Sequence, residues 1–166
     1  TKAIKMFREV GVIDVIKLAR EEDVKVQAVE KLENYDAILE HDADGQNFAI
    51  TTNIQHPMTR IRFSVAHELA HYLLHRNDVV ENGKIHRGNS DGFDPKKEKE
   101  ANQLASEILM PEQVIFDLLD EGGVGLNQVV PSDLFNDLAD KLQVSKQALA
   151  IRLENLGYVV TLTNVA

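Results

Sequence analysis

His67-Glu68-Leu69-Ala70-His71 sets two imidazoles and a carboxylate close together in the chain. Residues four apart on an α-helix differ by about 40° around the axis and about 6 Å along it, so both imidazoles can reach one ion. Glu68 follows His67 directly and points elsewhere, toward water on that ion. Neutral imidazole is a good ligand for zinc. Zinc acidifies water, and an adjacent carboxylate can take the proton. The pattern HExxH thus supplies two metal ligands, His67 and His71, and one base, Glu68. With six histidines in the chain, chance produces roughly 0.02 such matches. The bland alternative is a helix whose histidines are merely solvated or packed. Val65-Ala66 and Tyr72-Leu73-Leu74 flank the motif and argue against it. A buried helix does not carry such polar groups at its centre without a use.

A catalytic zinc usually has three protein ligands and one open position. The third candidates are His75, His86, Glu98, Glu100 and Glu107. Adding His75 would stretch the ligands over about 12 Å of one straight helix, too far for one ion. A histidine near a helix end, favoured by the dipole, is the simpler reading of His75. His86 falls in a stretch read as loop. The segment after Pro95 offers the carboxylates. Its apolar stripe centres between Ala101 and Ala105; Glu98 falls about 50° from that centre and Glu100 about 110°. Glu98 therefore faces the motif helix better, with Glu100 as fallback. Asn102 lies one turn beyond Glu98 and can hold a ligating histidine from behind.

Several elements must position these groups. Residues 1–22 read as two helices divided at Gly11. Val24–Val29 alternates and reads as a strand. Ala37–Glu40 and Phe48–Thr51 flank Asp42-Ala43-Asp44-Gly45, a hairpin by its Asp and Gly. The motif helix is expected over 59–76, capped by Thr59, with Ile61, Val65, Ala66, Leu69, Tyr72, Leu73 and Leu74 on its apolar face. Residues 77–94 read as a long exposed loop. Asp94-Pro95 reads as cap and first turn of the next helix, and Pro111 ends it. Helices at 112–120, 132–141 and 145–156 and a strand over Tyr158–Thr163 complete the reading. The fold class expected is α+β: a mainly helical zincin-like domain over residues 1–121 with a small antiparallel sheet of about three strands. A helical, helix-turn-helix-like segment over 126–166 packs on it.

Composition sets the outer bounds. At 166 residues the chain can bury a full core without staples. It has no cysteine, which excludes disulfides, a thiolate nucleophile and a cysteine zinc site. Eighteen basic residues against 27 acidic ones give a net charge of −9, which argues against nucleic acid as main partner. No apolar run is long enough for a transmembrane helix, and the charged start TKAIKMFREV is unlike a signal peptide. The expected compartment is the cytoplasm.

The block Arg62–His75 resembles the core of the ImmA/IrrE family of metallopeptidases, and Glu98–Pro111 resembles that family's second signature. The resemblance covers about residues 10–115. It implies a zinc held by the two motif histidines and a glutamate of the later helix; the pattern Glu-x-x-Ala-Asn puts that glutamate at Glu98. Leu104 stands where the family usually has Phe, an apolar exchange without chemical consequence. The resemblance further implies cleavage of a helix-turn-helix repressor of the Xre or phage type, which relieves repression. Zinc is the expected cofactor, with manganese as a weaker-binding substitute.

Further expectations follow for the site. Tyr72 and His86 are candidates for a donor to the oxyanion. The strand near Phe48–Thr51 is a candidate edge for pairing with an extended substrate. Arg60 and Arg62 are expected in structural ion pairs. The competing class is a non-catalytic regulator- or DNA-binding module that keeps a peptidase-like fold. Ser132–Leu149 has the helix-turn-helix pattern, with Ser145 as cap of the second helix. Across that region Lys141, Lys146 and Arg152 face Asp133, Asp137, Asp140 and Glu154, a net charge of −1. Such a reader would bind phosphates poorly, so direct nucleic-acid binding is not expected.

Overall fold

The computed structural model describes residues 1–32, 35–82, 84–87 and 94–161, with Asn82 and residues 84–87 described by backbone alone. The elements run α1 (Lys2–Val10), α2 (Val15–Glu21), β1 (Val24–Val29), β2 (Ala37–His41), β3 (Phe48–Asn53), α3 (Met58–Asn82), β4 (Lys84–Arg87), α4 (Pro95–Leu109), α5 (Glu112–Glu121), α6 (Ser132–Leu142) and α7 (Lys146–Asn155). The chain is α+β and mainly helical. Among the described residues no helix is long and apolar enough to cross a membrane.

Two compact units emerge. One is Asp14–Ala105; the other joins Thr1–Ile13 to the described part of Ser106–Ala166. Gly122 and Gly123 form a turn after α5, with Leu119 before it and Val124 and Phe135 after it buried.

The first unit holds a mixed sheet of order β1-β3-β2-β4. β2 and β3 form the expected hairpin, pairing Leu39 with Ile50 and His41 with Phe48. Asp42 organises its turn. Its Oδ1 accepts from the amides of Gln46 at 3.0 Å and Asn47 at 3.3 Å, and its other oxygen accepts from the Asn47 side chain. Gly45 takes the left-handed conformation (φ 66°) that closes it.

The sheet is mixed, not antiparallel as the sequence reading expects. β1 pairs with β3 in parallel, Val24 opposite Phe48 and Val26 opposite Ile50. An alternating strand buries the same residues in either direction, so the pattern carries no information on orientation. β4 also adds an antiparallel strand beside β2 where a loop was expected. β3 is therefore internal, hydrogen-bonded on both sides, and is not an edge open to a substrate strand.

α3 packs on β2, β3 and β4. Val65, Ala66, Leu69 and Ala70 are buried on the helix, and Ala37, Leu39, Phe48 and Ile50 on the sheet. Each large apolar side chain buried this way contributes about 1.5–3 kcal/mol, which offsets the cost of burying the polar centre of α3. The helix differs from expectation in three respects. The Pro57 carbonyl accepts from the Ile61 amide at 3.0 Å, so the helix is entered at Pro57 and Thr59 lies inside it. It runs on to Asn82, with non-helical dihedrals at His75 (φ −128°, ψ 27°). Leu73 and Leu74 are 45% and 50% exposed rather than core.

α4 begins as the sequence predicts. The Asp94 carbonyl accepts from the Glu98 amide at 3.1 Å, and its carboxylate from the Lys96 amide at 2.9 Å.

In the second unit α1 packs on α5, and Arg8 reaches Asp117 at 3.3 Å. α6 and α7 are joined by a short turn with Gln143 left-handed (φ 54°) and Ser145 capping the Ala148 amide at 3.2 Å. Arg152 of α7 is buried, and its Nε donates to the Met110 carbonyl at 3.0 Å. The expected last strand reduces to a single parallel bridge, Val129 with Val159; its end past residue 161 lies outside the described residues.

Candidate metal centre

His67 and His71 leave α3 one turn apart, and their Nε2 atoms converge to 3.0 Å. Glu98, in the first turn of α4, completes a triangle. Its Oε2 lies 3.3 Å from His67 Nε2, and its Oε1 lies 3.1 Å from His71 Nε2. A tetrahedral ion with bonds of about 2.0–2.1 Å spaces its ligand atoms about 3.3 Å apart. The triangle has the size such an ion requires, and its donors, two imidazoles and a carboxylate, are the set zinc favours. Among the described residues, His67, His71 and Glu98 are the group able to hold a metal ion. Both histidines are buried, whereas the Glu98 side chain is 34% exposed, so the cluster is accessible from the side of the carboxylate.

Local structure explains how Glu98 arrives there. Lys97 binds Asp78 of α3 at 2.7 Å, tying the first turn of α4 to the motif helix. Ala101 and Ala105 are fully buried and add no bulk to the packed face of α4. Glu98 stands on that side of the helix. Glu100 and Glu107 do not join the cluster.

The electrostatics suit a cation. Hydrogen bonds to His67, and then to His71, hold the Glu98 carboxyl far below the usual carboxylate range. Burial pushes His71 below the ordinary imidazole value; the attraction of Glu98 works the other way and is outweighed. The group is thus poised as a carboxylate beside a neutral imidazole, the protonation states a divalent metal needs.

Behind the cluster stands a second ring of contacts. His67 Nδ1 lies 3.0 Å from Asn102 Oδ1, the partner expected from the sequence. His71 Nδ1 lies 3.0 Å from His75 Nδ1, and His75 Nε2 lies 3.1 Å from Glu100 Oε2. His75 is therefore not a helix-end histidine held by the dipole alone. It is 6% exposed and sits within α3. The repeated four-residue spacing 67, 71, 75 is the sequence signal that sets His75 beside His71.

The other candidates find plain roles. Glu68 is fully buried, next to His67 on α3. The Tyr72 ring packs edge-on to Phe48 with centroids 5.0 Å apart, and its hydroxyl accepts from Arg76 at 3.5 Å. His86 falls on β4 opposite Ile38; its side chain lies outside the described part of the structure. Arg60 makes a two-pronged pair with Asp36 at 2.7 and 3.0 Å, and His56 joins the same carboxylate at 3.2 Å. Arg62 is buried, and burial lowers its pKa.

No curated protein matches the chain. The family model Peptidase M78, described as the IrrE N-terminal-like domain, matches residues 20–154. That is most of the chain, and the protein belongs to this metallopeptidase family.

Proposed function

We propose, from that membership, that the chain is a zinc-dependent endopeptidase in which His67, His71 and Glu98 hold the ion and Glu68 is the general base. The carrying observation is the triangle of ligand atoms with edges of 3.0 to 3.3 Å. A bound zinc supplies Lewis acidity that polarises the scissile carbonyl and acidifies water. The remaining work falls to this chain's own residues. Glu68 takes one proton from water as the C–O bond forms, then delivers it to the amine nitrogen as the C–N bond breaks. Asn102 and His75 fix the rings of the two histidines from behind.

The substrate proposed is a helix-turn-helix repressor of the Xre or phage type, cut in the cytoplasm to relieve repression. The support for this finer statement is the resemblance of the two sequence blocks to repressor-cleaving peptidases. The DNA-binding alternative is disfavoured by burial. With Arg152 turned inward to Met110, the exposed charges on α6 and α7 are Lys141 and Lys146 against Asp133, Asp137, Asp140 and Glu154, or 2 − 4 = −2. A surface of that sign repels phosphates.

The test is Glu68→Gln. The variant keeps one zinc per chain by mass spectrometry but yields no fragments from a panel of purified Xre-type repressors that the wild type cuts. Cleavage by the variant at the wild-type rate would remove Glu68 from its role. A wild type that takes up no zinc would remove the peptidase reading itself.

A further inference from the structure

We infer that His75 and Glu100 form a proton-ordered relay that positions His71 and strengthens it as a donor, making the two histidines of the centre unequal ligands. The inference rests on the metal reading above and deepens it. It follows from atom positions. His71 turns Nε2 toward Glu98 at 3.1 Å and Nδ1 toward His75 Nδ1 at 3.0 Å. A ligating Nε2 must be bare, so the single ring proton of His71 sits on Nδ1 and is donated to His75. His75 Nδ1 must then accept. Its own proton is therefore on Nε2, which donates to Glu100 Oε2 at 3.1 Å. A proton on both His75 nitrogens would set two N–H groups head to head across 3.0 Å. One tautomer of each ring satisfies these contacts.

The two arms differ in what terminates them. His67 ends on the neutral carbonyl oxygen of Asn102, whereas His71 ends, through His75, on a carboxylate. A carboxylate behind an imidazole makes its far nitrogen a stronger donor and fixes the ring plane. Here an intervening ring carries that influence, because α4 presents Glu98 to the cluster while Glu100, two residues on, meets His75. The relay is sealed at His75, which is 6% exposed, and meets solvent only at Glu100, whose side chain is 45% exposed beside Lys96 at 3.9 Å. His75 and Glu100 are positioning residues; neither belongs to the ligand triangle.

The experiment measures zinc affinity by competition with a chromophoric chelator and the visible d–d bands of the cobalt-substituted protein. The variants are His75→Ala, His75→Asn, Glu100→Gln and, as a control on the same helix, Glu107→Gln. Outer partners of metal-bound histidines are typically worth about 10- to 100-fold in affinity. His75→Ala should lose that much. His75→Asn, whose Oδ1 can still accept from His71, should recover most of it. Glu100→Gln keeps the acceptor and removes the charge; it should weaken zinc by roughly tenfold or less and shift the cobalt bands, while Glu107→Gln changes neither. Glu100 is half-exposed, so its variant reads the relay even if His75→Ala fails to fold. Glu100→Gln with wild-type affinity and bands would overturn the relay while leaving the metal centre standing. A wild type that binds neither zinc nor cobalt would overturn both.

Discussion

Replacing Glu98 by alanine removes the only anion of the triangle and one corner of it. The two imidazoles left behind keep their 3.0 Å separation, because Asn102 and His75 still hold them. Structural zinc sites with four protein ligands bind with about 10–16 kcal/mol, or roughly 2.5–4 kcal/mol per ligand. At about 1.4 kcal/mol per tenfold, losing one ligand should weaken zinc by on the order of 10²- to 10³-fold. Glu100→Ala leaves the triangle intact and cuts only the far end of the relay, so its loss should stay near tenfold or below. Competition titrations of wild type, Glu98→Ala and Glu100→Ala against one chelator measure all three constants, with circular dichroism showing that each variant is folded. The reasoning is refuted if Glu100→Ala costs more than Glu98→Ala, or if Glu98→Ala binds as the wild type does. Either result would mean that the carboxylate nearest in the structure is not the one that ligates.

Two further outcomes test the frame around the site. Arg152→Met keeps the apolar stem but leaves the Met110 carbonyl without its donor; a buried acceptor left that way costs about 1–3 kcal/mol. A chain of this size should then melt roughly 2–12 °C lower, and an unchanged melting temperature would deny the bond to Met110 any role in stability. Asn47→Ala tests the hairpin turn. Hydrogen bonds, first from the Asn47 side chain and then from the Gln46 and Asn47 amides, hold the Asp42 carboxyl below its ordinary value of 3.8. A lowered folded pKa stabilises above the unfolded value and loses that contribution as pH falls through the folded one. The variant should therefore be less stable than wild type at pH 7, with the gap closing near pH 2. Urea titrations at both values decide it, and a gap that persists at low pH would assign the loss to something other than the charge.

Much of the site was legible because it is local. The spacing of His67 and His71 acts through the helical repeat, which the backbone imposes wherever a helix forms. The Asp42–Gly45 turn and the Asp94-Pro95 start likewise depend on neighbours in sequence. The preference for Glu98 over Glu100 needs one non-local assumption, that the Ala101–Ala105 stripe faces the motif helix, and Glu98 stands in the cluster as that assumption requires. Other features turned on contacts between distant segments. Alternation in Val24–Val29 marked a strand but not its direction, since either orientation buries the same face. The apolar type of Leu73 and Leu74 points to the core, but both are half-exposed, because the sheet covers a different face of α3. Spacing alone leaves His75 out of reach of an ion shared by His67 and His71, whereas the fold gives it His71 on one side and Glu100 of α4 on the other.

The sequence by itself determined the side chains available, two imidazoles and a carboxylate at helical spacing with acidic residues to follow, because residue type and local periodicity are written in the chain. Only the tertiary structure decided which carboxylate closes the triangle, which strand runs parallel, and that His75 links His71 to Glu100. Those are settled by which helix and sheet faces meet, and that depends on packing among segments far apart in sequence.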